Sequence, residues 1–340
     1  MANQFKNYLH SLIKGEDLSS SEMGALMGLI MTGKLSSAQI ASCLVAMQIK
    51  GAIPNEIAAA ALVMREHSNK VSVKDSQYLI DTCGTGGDSL QTFNVSTISA
   101  IVAAAAGAKV AKHGGRSVSS KCGSADVLEA LGVDVNLDYK RLGQLVDTID
   151  IGFMFAPNYH PAMKYVASVR KELEVRTMFN LLGPLTNPAS TSKQVVGVYS
   201  KELTTTFAEV LQKLGSKHVL VVHGEDGMDE ISITGKTFVA ELKDNVVKEY
   251  TIEPSMFNLK VASLEDIIVE NPAHSKQMIL DILSGRLSVA RDITLLNAGA
   301  AIYISGLATS IKSGILMATE AIDQGKAMEK LNQLINLSNG

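Results

Sequence analysis

The chain has 340 residues, 46% hydrophobic and 19% charged, which is the composition of a folded globular protein long enough for two domains. A formal net charge of -3 and only 5% aromatic residues argue against binding nucleic acid through phosphate neutralisation and base stacking. Three cysteines without a Cys-x-x-Cys pair, no visible signal peptide and no run long enough to span a membrane predict a cytoplasmic protein without membrane contact.

The N-terminal region up to about residue 68 predicts a compact helical module. Apolar residues recur every three or four positions. Ser19 with Glu22, and Ser36 with Gln39, have the spacing of capping boxes, and Pro54 suits the first turn of a helix. Glycines recur at regular intervals, but their flanking residues differ, so a single module is favoured over a repeat array.

The pattern changes to alternating strands and helices near residue 77. "YLIDTCG" and "AKVAKHGG" predict short strands on either side of the helix "VSTISAIVAAAAG". Further strands are predicted at "QVVGVYS", "HVLVVHGEDG" and "TFVAEL", and the chain is mostly helical from about residue 263. This order predicts an α/β fold, in which ligands bind beyond the carboxyl ends of the strands.

The loop after the first predicted strand, "CGTGGDSLQTFNVST", has the chemistry of a phosphate cradle. Its glycines let backbone N–H groups approach an anion, and the next helix begins directly after it. It lacks the lysine of a P-loop and the last glycine of a dinucleotide fingerprint. Asp88 would repel a bare phosphate and needs a cation, a sugar hydroxyl or an amide as partner. A plain turn remains the alternative, with Asn94, Ser96 and Thr97 as helix caps.

The loop after the second predicted strand, "KHGGRSVSSKCGSAD", adds cations and hydroxyl groups at the same predicted sheet edge. Lys112, Arg116 and Lys121 would complete a polyphosphate site there. A polar surface linker is the alternative.

The segment "HGEDGMDEIS" places Glu225, Asp226, Asp229 and Glu230 directly after an apolar strand. Magnesium prefers one or two protein carboxylates together with waters and phosphate oxygens, so this segment fits a cation beside a polyphosphate. A solvated acidic loop is the alternative.

Two arginines and two histidines are ambiguous by sequence. Arg170 and Arg176 lie on a predicted helix, where surface ion pairs are common, although an arginine facing a cleft would suit a carboxylate. His113 and His160 are as compatible with structural roles as with catalytic ones, because no serine or cysteine pattern completes a triad.

These segments, together with "VRKELEVRTMFNLLGPLTNP" and "NAGAAIYISG", resemble the anthranilate phosphoribosyltransferase family in order and spacing over essentially the whole chain. The resemblance implies a fold like that of nucleoside phosphorylases and phosphoribosyltransferases, with a large α/β domain, a central mostly parallel sheet and a small all-helical domain. The helical domain would comprise residues 1–72 and a returning segment of about 168–188, and the large domain residues 75–165 and 190–340. A homodimer through the helical domain is also implied.

The implied reaction, a step of tryptophan biosynthesis, transfers 5-phosphoribose from phosphoribosyl pyrophosphate to the amine of anthranilate with Mg²⁺ and without a covalent or acid–base residue. By the family's motifs, the phosphoribosyl pyrophosphate site would comprise Gly84, Gly87, Asp88, Thr92, Asn94, Ser96, Thr97, Lys112, Ser120 and Ser124. The metal would lie at Ser96, Asp229 and Glu230, and anthranilate at Gly84, Gly115 and Arg170. The sequence departs from the family at Gly115, where an asparagine is usual.

Two alternatives remain. A pyrimidine nucleoside phosphorylase would share this kind of fold and resemble the second loop, but the Asp229–Glu230 pair and "LLGPLTNP" favour the transferase. A non-enzymatic relative that binds nucleic acid is disfavoured by the net charge and by the intact "GTGGD" and Asp-Glu motifs.

Overall fold

The computed structural model describes residues 2–116 and 121–340. Its helices are α1 (Ala2–Ile13), α2 (Ser20–Met31), α3 (Ser37–Lys50), α4 (Pro54–Glu66), α5 (Val95–Ala105), α6 (Ser124–Leu131), α7 (Tyr139–Ile149), α8 (Ala156–Tyr159), α9 (Lys164–Leu173), α10 (Phe179–Leu182), α11 (Leu203–Lys213), α12 (Pro272–Leu283), α13 (Val289–Ser305), α14 (Ile311–Asp323) and α15 (Lys326–Ser338). Its strands are β1 (Leu79–Gly84), β2 (Lys109–Gly114), β3 (Ile151–Phe155), β4 (Lys193–Gly197), β5 (His218–Gly224), β6 (Thr237–Lys243) and β7 (Val246–Ile252).

The seven strands form one sheet in the order β3-β2-β1-β4-β5-β6-β7. Neighbours from β3 to β5 are parallel, whereas β6 and β7 are antiparallel additions at one edge. The chain adds β2 and β3 on one side of β1 and then places β4 on the other. This reversal creates a topological switch point between β1 and β4, which is where ligands bind in open α/β sheets.

Strands β3 and β7 were not predicted from the sequence. The run "IGFMF" of β3 is short and almost wholly buried, so it lacks the alternation that distinguishes a strand. Strand β7 is mostly exposed at the sheet edge and carries several polar side chains. Both become strands because neighbouring strands supply their backbone hydrogen bonds.

The four N-terminal helices form as predicted. The side-chain oxygens of Ser19 and Ser36 accept hydrogen bonds from the backbone N–H groups of Glu22 and Gln39, which completes both capping boxes, and Pro54 opens α4. Helix α9 packs on α2 and α3, and α10 packs on α4. The predicted returning segment therefore does contact the helical bundle.

The sheet has a hydrophobic core on each face. Alternate residues of β4 and β5 enter different cores, since successive side chains of a strand point to opposite faces. Val196, Val219 and Val221 belong to a core shared with α11 and the N-terminal bundle, whereas Val195 and Leu220 pack with α5 and α13. The bundle is thus continuous with one face of the sheet.

Cys43, Cys83 and Cys122 are all buried. Among the described residues, no helix is both long and apolar enough to cross a membrane.

Candidate active site

The glycine loop after β1, the start of α5, strand β2 and the acidic loop after β5 come together at one edge of the sheet. The N–H of Gly86 donates to Asp229 Oδ2 at 2.9 Å, and the N–H of Ser96 donates to Glu230 Oε1 at 3.1 Å. The ammonium group of Lys112 donates to Ser96 Oγ at 3.1 Å and also to the carbonyl of Thr82. The glycine loop, the start of α5, the end of β2 and the acidic loop therefore form one polar cluster beside the switch point.

Close approach of the backbone requires glycine at two strand ends in this cluster. A Cβ at Gly84 would lie 2.5 Å from Asp229 Oδ2, and one at Gly197 would lie 1.5 Å from the carbonyl oxygen of Asp229. Gly86 and Gly87 have φ values of +66° and +82°, a region that side chains disfavour. The glycines thus let the acidic loop sit directly on β1 and β4.

The acidic loop, residues 225–230 after β5, carries four carboxylates that differ in their surroundings. Asp226 accepts hydrogen bonds from Met228 N, Ser232 Oγ and Thr234 Oγ1, so it shapes the loop, and Glu225 is exposed. Asp229 and Glu230 instead face the glycine loop and α5. Only this pair, which the resemblance had named, reaches the polar cluster.

Negative charge is concentrated where Asp229 approaches Asp88, whose carboxyl group lies within hydrogen-bonding range of it. Burial and then the charge of Asp229 raise the pKa of Asp88 to about 7, and the same two causes raise the pKa of Glu230 to about 8. Burial also raises the pKa of Asp229. Such a group of carboxyls favours a divalent cation, which would relieve their repulsion.

The protein alone offers an incomplete coordination shell. The described residues contain no group of three or more Asp, Glu, His or Cys side chains arranged to hold a metal ion. Asp229 and Glu230 each direct one oxygen to a backbone N–H. This donor set fits magnesium, which commonly takes one or two carboxylates and completes its shell with waters and phosphate oxygens.

Asn94 lies at the N-cap position directly before α5, but its side chain makes no capping hydrogen bond. Its Oδ1 accepts from Ser275 Oγ at 2.8 Å and from Cys122 Sγ at 3.0 Å, and its Nδ2 donates to the carbonyl of Cys122 at 3.0 Å. The carboxylate of Glu230 takes the capping role from another loop by accepting the Ser96 N–H. The side chain of Asn94 therefore joins the two phosphate-site loops and α12.

The remaining predicted phosphate-site residues differ in their surroundings. Thr97 is buried and its hydroxyl has no hydrogen-bond partner among the described residues, Thr92 forms an antiparallel bridge with Ile268, and Ser124 begins α6. Ser120 lies outside the described residues. Their predicted ligand roles stay predictions.

One predicted phosphate-site cation is engaged elsewhere. Arg116 forms ion pairs with Asp126 and Glu129 at 2.9 and 2.6 Å, and its guanidinium lies over the ring of Phe155. Because these partners hold it against α6, the expectation that Arg116 points to the phosphate cluster is wrong. Lys121 is exposed.

Of the predicted acceptor residues, Gly84 lies directly against Asp229, whereas Arg170 lies on α9 and Gly115 follows β2. Arg170 is half-buried on α9, where burial lowers the pKa of its guanidinium, and it has no ion pair or hydrogen bond within the described part of the chain. Its Cζ lies 6.0 Å from the centre of the Phe179 ring. At Gly115, a Cβ would meet no described atom within 4 Å. The Arg170 guanidinium is therefore not engaged in another ion pair among the described residues, and Gly115 has open space beside it.

Arg176 is not on a helix, contrary to the sequence prediction. Helix α9 ends at Leu173, and Glu174 has a φ of +50°, which turns the chain away from the helical path. The guanidinium of Arg176 donates to the carbonyl of Gly87 and lies 4.1 Å from the centre of the Tyr199 ring. Sequence reasoning had no signal for these contacts, since none of the three residues is near another along the chain.

The two ambiguous histidines contact each other. His113 Nδ1 lies 3.2 Å from the carbonyl of Gly183, and its Nε2 lies 3.1 Å from Nε2 of His160. A carbonyl only accepts, so His113 carries its proton on Nδ1 and accepts at Nε2 from His160. Burial lowers the pKa of His113 to about 3 and that of His160 to about 4. The pair is therefore neutral and ties β2 to the returning segment, as a structural histidine would.

We expect the free energy of unfolding to fall below pH 6.5 because of this pair. Both pKa values are depressed in the folded state, so the unfolded chain takes up protons first, and stability present above pH 6.5 is lost as the pH falls toward 4. Between its folded and unfolded pKa values, each histidine lowers the free energy of unfolding by up to about 1.4 kcal/mol for each unit by which the pH falls. Urea unfolding between pH 7 and 5 measures the total slope. His160→Gln should reduce it, the exposed control His274→Gln should not, and equal slopes in both variants would contradict the assignment.

Comparison with known proteins places this site in a family. Residues 76–328 match the glycosyl transferase family α/β domain, and residues 6–68 match the helical bundle domain of the same family. An anthranilate phosphoribosyltransferase of Methylobacillus flagellatus is 54% identical over 97% of each chain, and one of Chromobacterium violaceum is 54% identical over 97% of this chain and 96% of its own. The chain belongs to the anthranilate phosphoribosyltransferase family.

Solved anthranilate phosphoribosyltransferases share the fold. The Thermus thermophilus enzyme superposes with a TM-score of 0.93 at 41% identity, covering 98% of this chain and 99% of its own. The Saccharomyces cerevisiae enzyme, solved with phosphoribosyl pyrophosphate and magnesium, gives a TM-score of 0.91 at 30% identity, covering 100% and 99%. These likenesses confirm the predicted family, the α/β fold with a small helical part and the transferase prediction over the nucleoside phosphorylase.

Proposed function

We propose that this chain transfers the 5-phosphoribosyl group of phosphoribosyl pyrophosphate to the amine of anthranilate and releases pyrophosphate. The observation that carries the proposal is the convergence of the glycine loop, the start of α5, Lys112 and the Asp229–Glu230 pair at the switch point. Membership of the anthranilate phosphoribosyltransferase family supplies the substrates.

The donor would lie along the carboxyl ends of β1 and β2. The positive end of the α5 dipole favours an anion there, and Lys112 contributes a buried positive charge. Thr92, Ser96, Thr97, Ser120 and Ser124 would supply hydroxyl groups for the ribose and phosphates, and Asn94 would contribute mainly by holding the two loops together.

Asp229 and Glu230 would hold magnesium, with Ser96 beside them and Asp88 as a neighbouring carboxylate. When bound, the ion would neutralise charge on the departing pyrophosphate. The protein's own contribution is to fix both carboxylates against Gly86 and Ser96 before substrate arrives, so that little reorganisation accompanies the reaction.

The acceptor needs positioning more than activation. An aromatic amine is neutral near pH 7 and carries a lone pair that can attack the anomeric carbon directly. The pKa values of the buried histidine pair are lowered to about 3 and about 4, so neither ring is an effective base near pH 7. Arg170 would orient the carboxylate of anthranilate, and exclusion of water would protect the activated sugar from hydrolysis.

The decisive experiment follows pyrophosphate release by the purified protein with phosphoribosyl pyrophosphate, Mg²⁺ and a panel of aromatic amines. We expect turnover with anthranilate and little with amines that lack the ortho carboxylate. Phosphorolysis of thymidine by inorganic phosphate, with no pyrophosphate release, would favour the phosphorylase alternative instead.

Arg170→Gln should raise the KM for anthranilate by about tenfold to a hundredfold, as expected for the loss of a hydrogen bond between charged groups. The KM for phosphoribosyl pyrophosphate should change little, because the ring contact of the Arg170 guanidinium is with Phe179, outside the proposed donor site. Lys171→Gln removes a cation from the same helix and serves as the matched control. An unchanged KM for anthranilate would mean that another group holds the carboxylate.

Gly115→Asn should lower the KM for anthranilate by about twofold to tenfold, the effect of one added neutral hydrogen bond. An added Cβ would meet no described atom within 4 Å, so we expect little change in the melting temperature. Gly115→Ala, which adds a Cβ without an amide, should leave KM where it was. If the asparagine variant binds anthranilate no better, other residues of this chain already supply the missing contact.

We also propose a cytoplasmic homodimer formed through a helical domain of residues 1–72 with the returning segment 168–188, hinged to a large domain of residues 75–165 and 190–340. Exposed apolar side chains on α1, α3 and α4 support this interface: Ile13, Val45, Ile49 and Leu62. Ile49 is the most exposed of the four, at 82%. Sedimentation equilibrium over a range of protein concentrations tests the dimer.

A further inference from the structure

One side chain of the returning segment reaches the phosphate loop. The guanidinium of Arg176 donates through Nη2 to the carbonyl of Gly87, and its Cζ lies over the Tyr199 ring, 4.1 Å from the ring centre. A Cβ at Gly87 would lie 3.2 Å from Nη2 and 3.6 Å from Cζ. The guanidinium therefore occupies the space that the missing side chain of Gly87 leaves open.

The other contacts of the glycine loop come from the α/β sheet side. Thr85 N donates to the carbonyl of Gly197 at 2.9 Å, Tyr199 N donates to Thr85 Oγ1 at 3.2 Å, and Gly86 N donates to Asp229 Oδ2 at 2.9 Å. The contact of Arg176 with Gly87 comes instead from the segment that follows α9. The loop is thus held between two parts of the fold.

A glycine loop needs such a restraint. Glycine loses more conformational freedom on ordering than any other residue. In an unrestrained loop, this entropy loss would occur when phosphate binds and would lower the affinity for phosphate. Gly87 has a φ of +82°, one of several conformations open to it. Holding its carbonyl in place also fixes the direction of the neighbouring amides.

We infer that Arg176 is a positioning residue that fixes the glycine loop in its phosphate-binding conformation and links it to the segment carrying Arg170. The inference rests on the proposed function for the identity of the substrates. Arginine suits this role because one N–H meets a carbonyl while the flat face stacks on an aromatic ring, which an ammonium group cannot do in the same way. The stretch from Arg170 to Arg176 thereby connects the proposed acceptor and donor sites.

The test uses magnesium pyrophosphate as a non-reacting probe of the donor site. Arg176→Met should weaken its binding, measured by titration calorimetry, by about tenfold or more, as expected for loss of a hydrogen bond from a charged group. The KM for phosphoribosyl pyrophosphate should rise in parallel. Saturating anthranilate should change the affinity for pyrophosphate less in Arg176→Met than in the wild type. The variant lacks the contact that would couple the acceptor site to the donor site.

Three further variants separate positioning from general stability. Arg176→Lys should recover part of the affinity by restoring a charged donor. Tyr199→Leu removes the aromatic ring under the guanidinium and should also weaken pyrophosphate binding. The double variant should lose less affinity than the sum of the two single variants, because both substitutions disrupt the same contact. Lys171→Met, which removes a cation from the same segment without a described partner, should bind pyrophosphate like the wild type.

Unchanged pyrophosphate affinity in Arg176→Met would overturn the inference, and so would a lower melting temperature with no change in affinity or coupling. Additive losses in the Tyr199→Leu double variant would also overturn it. Failure of the proposed function is a different result: the wild-type protein would bind magnesium pyrophosphate but release none from phosphoribosyl pyrophosphate with any amine.

Discussion

Exchanging Asp229 for Asn and Glu230 for Gln is expected to lower the rate of pyrophosphate release by about two to three orders of magnitude, comparable with removing a preorganised electrostatic group. The two amides keep an oxygen that can accept from Gly86 N and Ser96 N, so the loop should stay in place. What is lost is the negative charge that would bind magnesium. Steady-state pyrophosphate release at increasing Mg²⁺ measures the effect.

The same double variant should be at least as stable as the wild type at pH 8 to 9. The pKa of Glu230 is raised to about 8, so the folded state holds a proton that the unfolded state has released, and stability falls as the pH rises toward and through that value. Neutral amides remove this effect. Glu225→Gln, in the same loop but exposed, is the control that should leave turnover unchanged. If the double variant turned over at the wild-type rate at saturating Mg²⁺, Asp229 and Glu230 would have no role in the mechanism.

Gly197→Ala is expected to be the most destabilising single substitution considered, because the added Cβ would lie 1.5 Å from the carbonyl oxygen of Asp229. Backbone atoms cannot yield as a flexible side chain can, so β4 and the acidic loop must separate. Overpacking of this kind costs about 1–3 kcal/mol or more. Displacing Asp229 should also lower turnover, so stability and activity fall together.

Chemical denaturation and turnover of the same preparations measure both effects. Gly28→Ala in α2 is the control, since a Cβ there meets no described atom within 4 Å and alanine favours a helix. It should be neutral or slightly stabilising. A Gly197→Ala protein with wild-type stability and turnover would show that the acidic loop does not depend on this close approach.

Much of the architecture follows from local sequence. The capping boxes at Ser19 and Ser36 and the strand, helix and strand around the glycine loop form as predicted, because their signals lie within a few residues of one another. The edge strands β3 and β7 were not predicted, since hydrogen bonds from distant strands create them.

At the site, the sequence determined which chemical groups were available: a glycine-rich loop, a lysine in the neighbouring strand and a run of acidic residues. Tertiary structure decided which of these groups meet. Asp229 faces the glycine loop, whereas Asp226 makes hydrogen bonds within the acidic loop. Arg116 forms an ion pair with α6. Arg176 contacts Gly87, although the two are far apart along the chain. The physical reason is that side-chain type sets charge and hydrogen-bonding capacity locally, whereas distance and burial, which decide how those capacities are used, depend on contacts between remote segments.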